Sequence, residues 1–196
     1  MQQELLRAGV LTGRGSRDDH PVAAARAEEQ FRGIAERGPE AGNLLLANIG
    51  GPAGLTAFAR GLGDNATRLD RTEPTLNEAL PGDPRDTTSP NAMATTLSKL
   101  VLGTALSPAS RAQLATWMVA TKTGNDRLRA GLPKSWRVGD KTGTGERGTA
   151  NDIAVIWPTG RAPMVMTVYL TGASGTAATK NAVIADVARA VVTTLG

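Results

Sequence analysis

The apolar residues change period after Gly131, and this change restricts the possible fold more than any other feature of the chain. Before it, Met93, Leu97, Leu100 and Val101, then Leu114, Trp117 and Met118, recur at the intervals that bury one side of a helix. Ser89-Pro90 and Ser107-Pro108 precede these runs, each a cap followed by a first-turn proline. After it, Trp136 to Lys141, Asp152 to Trp157 and Pro163 to Leu170 are rich in β-branched or aromatic residues, with turns at Gly143 to Ala150 and Pro158 to Ala162. Such a succession predicts a three-strand antiparallel meander. A final helix from about Ala177 to Leu195 places Val183, Ile184, Val187 and Val191 on one face, able to cover the sheet. The fold class is α+β.

At 196 residues the chain is sized for one compact domain, or a domain with an arm. With 3% aromatic residues, its core must be built from Ala, Val, Leu and Ile. The lack of cysteine excludes disulfides, thiolate zinc sites, Fe–S clusters and a cysteine nucleophile, and a single histidine, His20, leaves little room for histidine chemistry. No metal and no cofactor are expected. The net charge of +4 is distributed as a slightly acidic segment 1–42 and a basic remainder whose Lys and Arg are scattered singly, which argues against a nucleic-acid partner. Met1 to Thr12 lacks a basic n-region and an apolar h-region, and no apolar run approaches about 18 residues. The expectation is a chain with no membrane insertion and no signal peptide, cytoplasmic if made as written.

Two regions are expected. Residues 1–42 contain no Lys and are biased to Arg, Gly and Ala, with one helix expected over 21–36 on the apolar face Ala24, Ala27, Phe31 and Ile34. Residues 43–196 open with two short helices, Leu44 to Ile49 and Pro52 to Arg60. Residues 64–90 are dense in Asp, Thr and Pro and exceed an ordinary connection in length, which marks a functional loop or a disordered one.

Three segments carry chemistry. In Val138 to Gly145 a strand presents Lys141 and Thr142 and then the bare backbone of Gly143, followed by Thr144 and Gly145, an edge along which an anion can lie. The bland alternative is a strand ending in a Gly-rich turn. Gly143, Gly145 and Gly148 match a dinucleotide fingerprint, but a strand follows where a helix is required. In Arg71 to Thr88, a bidentate Arg71–Asp86 ion pair would close the loop and fix Glu73, whose carboxylate with the Asn77 amide can grip a water and take its proton. A solvated connection is the alternative. In Thr123 to Arg127, Arg127 either binds a substrate carboxylate or serves packing and solubility.

Taken together and in order, R-x-E-x-x-L-N (Arg71 to Asn77), R-D-T-T-x-P (Arg85 to Pro90), T-G-N-x-R (Thr123 to Arg127) and K-T-G-T-G (Lys141 to Gly145) resemble the class A serine β-lactamases. The resemblance runs from about Ala41 to Gly196, with an omega loop at 71–88 and a K-T-G strand at 136–144. It implies a β-lactamase/transpeptidase-like fold and hydrolysis of a β-lactam amide through an acyl-serine, without a metal. It implies Glu73 as general base for the deacylating water and Asn77 as the second holder of that water. Asn43 is implied as a buried amide supporting the loop, and Arg71 with Asp86 as its brace. Lys141, Thr142, Gly143, Thr144, Thr123 and Arg127 are implied to meet the substrate, with the Thr144 N–H as one oxyanion-hole donor.

The departures are as specific as the matches. No serine is followed three residues later by lysine, so the S-x-x-K nucleophile motif is absent, and Arg37-Gly38-Pro39 stands where S-D-N would precede Asn43. Thr96 and Lys99 have the spacing but sit on another helix. The expectation is a truncated, inactive form lacking the N-terminal strands and nucleophile helix, monomeric or aggregation-prone. The alternative is a non-catalytic fragment that binds a β-lactam or peptide carboxylate or complements a missing N-terminal part.

Overall fold

The computed structural model describes residues 39–195, so the helix expected over 21–36 lies outside the described residues. In chain order the elements are α1 (Pro39–Asn48), α2 (Gly51–Gly61), a 3-10 turn (Thr75–Asn77), α3 (Pro90–Val101), α4 (Pro108–Val119) and the single-turn α5 (Leu128–Gly131). They are followed by β1 (Arg137–Thr144), β2 (Ala150–Trp157), β3 (Met164–Leu170) and α6 (Ala177–Leu195). Helix α1 runs through residues 42 and 43, so the boundary expected there falls inside a helix. The predicted caps are formed: Ser89 Oγ accepts from the Ala92 N–H at 3.2 Å and Ser107 Oγ from the Ser110 N–H at 3.2 Å.

The sheet is the expected meander, β1-β2-β3, antiparallel throughout, with Asp140 opposite Ala154, Thr142 opposite Asp152 and Ala154 opposite Met166. Trp136 stays outside β1 because its N–H closes a turn onto the Pro133 carbonyl at 3.0 Å. The period of two sends alternate β2 residues into different cores, so both sides of this central strand are buried. On one side Ile153 and Val155 pack with Met93, Leu97 and Leu100 of α3 and Leu114 and Met118 of α4. On the other, Ala154 and Ile156 join Val138 and Met166 under Leu128, Ile184 and Ala188.

Helix α6 covers that second side with part of the expected face, Ile184 and Val191, but with alanines where two of the valines were expected. Ile184, Ala185 and Ala188 are buried, whereas Val183 and Val187 are 42% and 38% exposed. Small residues face inward because α5 passes very close: a Cβ built on Gly131 would lie 2.1 Å from the Ala185 carbonyl oxygen and 2.7 Å from Ala188 Cβ. Valine in that stripe would hold α5 away from α6.

Gly131→Ala therefore forces apart two packed helices and should cost about 1–3 kcal/mol, the usual range for overpacking. A urea unfolding curve checks this, through a lower midpoint at unchanged slope.

Candidate active site

The loop between α2 and α3 is organised by three acidic side chains. Asp64, 5% exposed, accepts from the Ala66 and Thr67 N–H groups at 3.0 and 2.8 Å and from the Thr67 and Thr96 hydroxyls at 2.5 and 3.0 Å. Burial works against its charge, but the Thr67, Thr96 and Ala66 donors outweigh that and hold the carboxyl below its ordinary range. Asp86 closes the neck: its Oδ1 accepts from the Asp70 and Arg71 N–H groups at 2.7 and 2.9 Å, and its Oδ2 from Arg71 Nε at 2.6 Å. The Asp86 N–H donates in return to Asp70 Oδ2 at 3.1 Å. The expected Arg71–Asp86 pair thus forms, but it is not bidentate, because Arg71 turns Nη1 to Glu78 and the second oxygen of Asp86 serves the backbone. At the loop tip Arg85 holds the Asp83 carboxyl down at about 2.

Inside this closed loop Glu73 is fixed from two directions. The Asn43 amide grips its main chain, Nδ2 donating to the Glu73 carbonyl at 2.9 Å and Oδ1 accepting the Glu73 N–H at 2.9 Å. Asn43 is half-buried, where a buried amide was expected, because α1 meets the loop at its margin. The 3-10 turn brings Asn77 back over Glu73, and Asn77 Nδ2 donates to Glu73 Oε2 at 2.5 Å. The same turn reaches the sheet, with the Asn77 carbonyl accepting the Glu146 N–H at 2.9 Å just beyond β1. Glu73, Asn77 and the end of the K-T-G strand are therefore one connected unit.

On β1 the predicted substrate residues divide between the two faces. Lys141 is exposed, shares the α3/α4 side with Ile153, and donates from Nζ to the Thr142 carbonyl at 2.6 Å. With Leu97, Leu114, Met118, Thr121, Asp140 and Ile153 it lines a small, mainly apolar cleft. Thr142 points to the opposite side, its hydroxyl 2.7 Å from that of Thr123. Arg127, expected either to bind a substrate carboxylate or to serve packing and solubility, is only 8% exposed. Its Nη1 donates to the Gly143 and Asn151 carbonyls at 2.7 and 2.6 Å, its Nη2 to the Thr144 hydroxyl at 2.7 Å, and its Nε to Asn181 Oδ1 at 2.9 Å. It acts on the strand edge through Thr144, which is exposed. Thr96 and Lys99, the one pair with nucleophile spacing, point elsewhere: Thr96 to Asp64 at 3.0 Å and Lys99 to the Leu62 carbonyl at 2.5 Å.

Two buried acids under β1 escaped the sequence reading. Asp140 and Asp152 are both 0% exposed. Asp140 is ion-paired with Arg129, which also donates to the Met118 and Val119 carbonyls at 3.1 Å. The available signal was alternation, which sets each acid on the same face as the apolar Val138 and Ile156.

With this geometry described, comparison with known proteins is direct. The family model described as the β-lactamase enzyme family matches residues 40–195. β-Lactamase CTX-M-6 of Salmonella typhimurium is 58% identical over 149 residues, 76% of this chain and 51% of that protein. β-Lactamase Toho-1 of Escherichia coli is 64% identical over 129 residues, 66% of this chain and 44% of its own length. The chain spans about half the length of the curated relatives it matches. Among solved structures, an ancestral class A β-lactamase superposes with a TM-score of 0.82 at 53% identity, covering 98% of this chain and 83% of that one. The chain belongs to the β-lactamase enzyme family and, within it, to class A. No helix among the described residues is long and apolar enough to cross a membrane.

Asn43→Ala removes both grips on the Glu73 main chain and leaves a partly buried donor and acceptor without partners. It should cost about 1–3 kcal/mol. Hydrogen exchange at the Glu73 amide should accelerate by roughly tenfold or more on the same argument.

Proposed function

We propose that this chain carries the water-activating and carboxylate-gripping half of a β-lactam-hydrolysing site, and that its 196 residues alone do not complete acyl-serine turnover. The contact that carries the reading is Asn77 Nδ2 on Glu73 Oε2 at 2.5 Å. An amide and a carboxylate so arranged, with the Glu73 main chain clamped, can share a water and remove its proton. The Lys141 to Gly145 edge, joined to Asn77 through Glu146, supplies the other requirement: an ammonium, an exposed threonine hydroxyl and close backbone approach for an anionic substrate.

The second half of the proposal is supported by the motifs these 196 residues do not contain. No serine stands three residues before a lysine. In another serine hydrolase, loss of the nucleophile lowers kcat on the order of 10⁶-fold, roughly 8 kcal/mol of barrier. A second reading, binding of a β-lactam or peptide carboxylate without turnover, is favoured by the exposed ammonium of Lys141 beside an apolar cleft. It includes complementation by a separate segment bearing the serine and lysine.

The purified full chain should hydrolyse nitrocefin no faster than buffer and should gain no penicilloyl mass with benzylpenicillin. Hydrolysis that Glu73→Ala abolishes would overturn inactivity and retain the site. For the binding reading, calorimetry with benzylpenicillin should register weak heat that Lys141→Ala removes, and no heat in the parent chain would end it.

A further inference from the structure

The register of β1 and β2 sets two carboxylates side by side. Thr142 lies opposite Asp152, and Asp140 is two residues from Thr142 on the same face, so Asp140 and Asp152 are diagonal neighbours beneath α5 and α6. Each has one oxygen engaged. Asp140 Oδ1 accepts from Arg129 Nε, and Asp152 Oδ2 accepts from the Leu128 N–H at 3.1 Å. The other oxygens, Asp140 Oδ2 and Asp152 Oδ1, are enclosed and accept no hydrogen bond. On the Asp140 side the backbone of the T-G-N turn packs directly on the carboxylate: a Cβ built on Gly124 would lie 1.7 Å from Asp140 Oδ2.

Two unpartnered anionic oxygens on neighbouring buried acids are unfavourable twice over, through lost hydration and through mutual repulsion. One proton relieves both costs, because a protonated carboxyl donates where a carboxylate can only accept. We propose that Asp140 and Asp152 hold one proton between them at neutral pH, and that Asp152 so protonated is a positioning residue that keeps the Arg127-Leu128 turn docked under the K-T-G strand.

The charged groups around the pair agree with this arrangement. From α5, Arg129 is bound to Asp140 and favours ionisation there. From the preceding turn, Arg127 faces Asp152 with its donors already directed to Gly143, Asn151, Thr144 and Asn181. Lys141 acts on Asp140 from the other face of β1, and Lys122 and Asp126 of the turn are exposed. Helix α6 presents Ile184, Ala185 and Ala188, its Asp186 and Arg189 being exposed and paired with each other. β3 contributes Met166 and Val168. Burial and then the Asp140 charge push Asp152 up to about 7, against the Leu128 N–H, Arg127 and Arg129. Burial also raises Asp140, opposed by Arg129. The two values describe the pair, not either residue alone.

A carboxyl raised from 3.8 to about 7 keeps in the folded chain a proton that the unfolded chain releases, so its stabilisation is complete below pH 3.8 and is lost as pH rises through about 7.

The full-length chain should show a protonated-carboxyl C=O infrared band at pH 6 that fades through pH 8, with a Tm several degrees higher at pH 5 than at pH 8. Asp152→Asn and Asp140→Asn each replace one carboxyl of the pair by an uncharged amide of the same shape. Each variant should fold, lose the band and flatten the pH dependence, while Asp152→Ala should lower Tm at every pH. Absence of the band in the parent chain, its persistence in both asparagine variants, or failure of Asp152→Asn to fold would overturn the proposal.

Discussion

The guanidinium of Arg127 sits where β1, β2 and α6 converge, and the geometry of the whole strand edge depends on it. Four of its donor directions are assigned, to two main-chain carbonyls, a threonine hydroxyl and an asparagine amide. A planar fork with five N–H groups suits this task in a way that lysine, with one point charge, does not. By holding Gly143 and Asn151 from beneath, Arg127 fixes the cross-strand pair at the end of the ladder, and Thr144 is the next residue along. Its location just after the T-G-N turn couples that turn to the strand, a link that the Thr123–Thr142 hydroxyl contact repeats one residue pair away.

The omega loop relies on a different kind of support. Asp64, Asp86 and Asn43 all bind backbone N–H groups, so they fix the path of the chain and not merely the ends of side chains. A carboxylate that accepts two amides and a guanidinium satisfies donors that a long irregular loop would otherwise leave unpaired. This explains why a segment with little regular structure can present Glu73 in one orientation. Surface pairs such as Arg68–Asp70 add little to that, being solvent-exposed.

Most of the architecture was legible because it is written in periodicity. Capped helices α3 and α4, the meander and α6 follow from Ser-Pro pairs and from the switch between periods of 3.6 and 2. What was illegible has identifiable causes. The inward stripe of α6 is Ile184, Ala185 and Ala188, and a hydrophobicity pattern favours the valines beside them because it contains no information about how closely α5 approaches. The site was legible as motifs, and Glu73, Asn77, Asn43 and the Arg71–Asp86 pair are connected as those motifs suggest. For Arg127 the sequence left binding and packing both open, because an arginine in a loop sequence carries no mark of burial. Asp140 and Asp152 were passed over although each interrupts an apolar face, a place where a carboxylate needs an explanation.

The supports of Glu73 are separable from the chemistry it would serve. Its main chain depends on Asn43, its carboxylate on Asn77, and its loop on Asp86 and Arg71; none of these is a serine. The cleft beside Lys141 is lined by Leu97, Leu114, Met118 and Ile153 of the core together with Thr121 and Asp140. The hydrogen bonds that hold Glu73 therefore do not depend on any group to be acylated. The placement of Glu73 is set by its loop and by α1, so the geometry proposed for water activation persists whether or not the chain carries a group to be acylated.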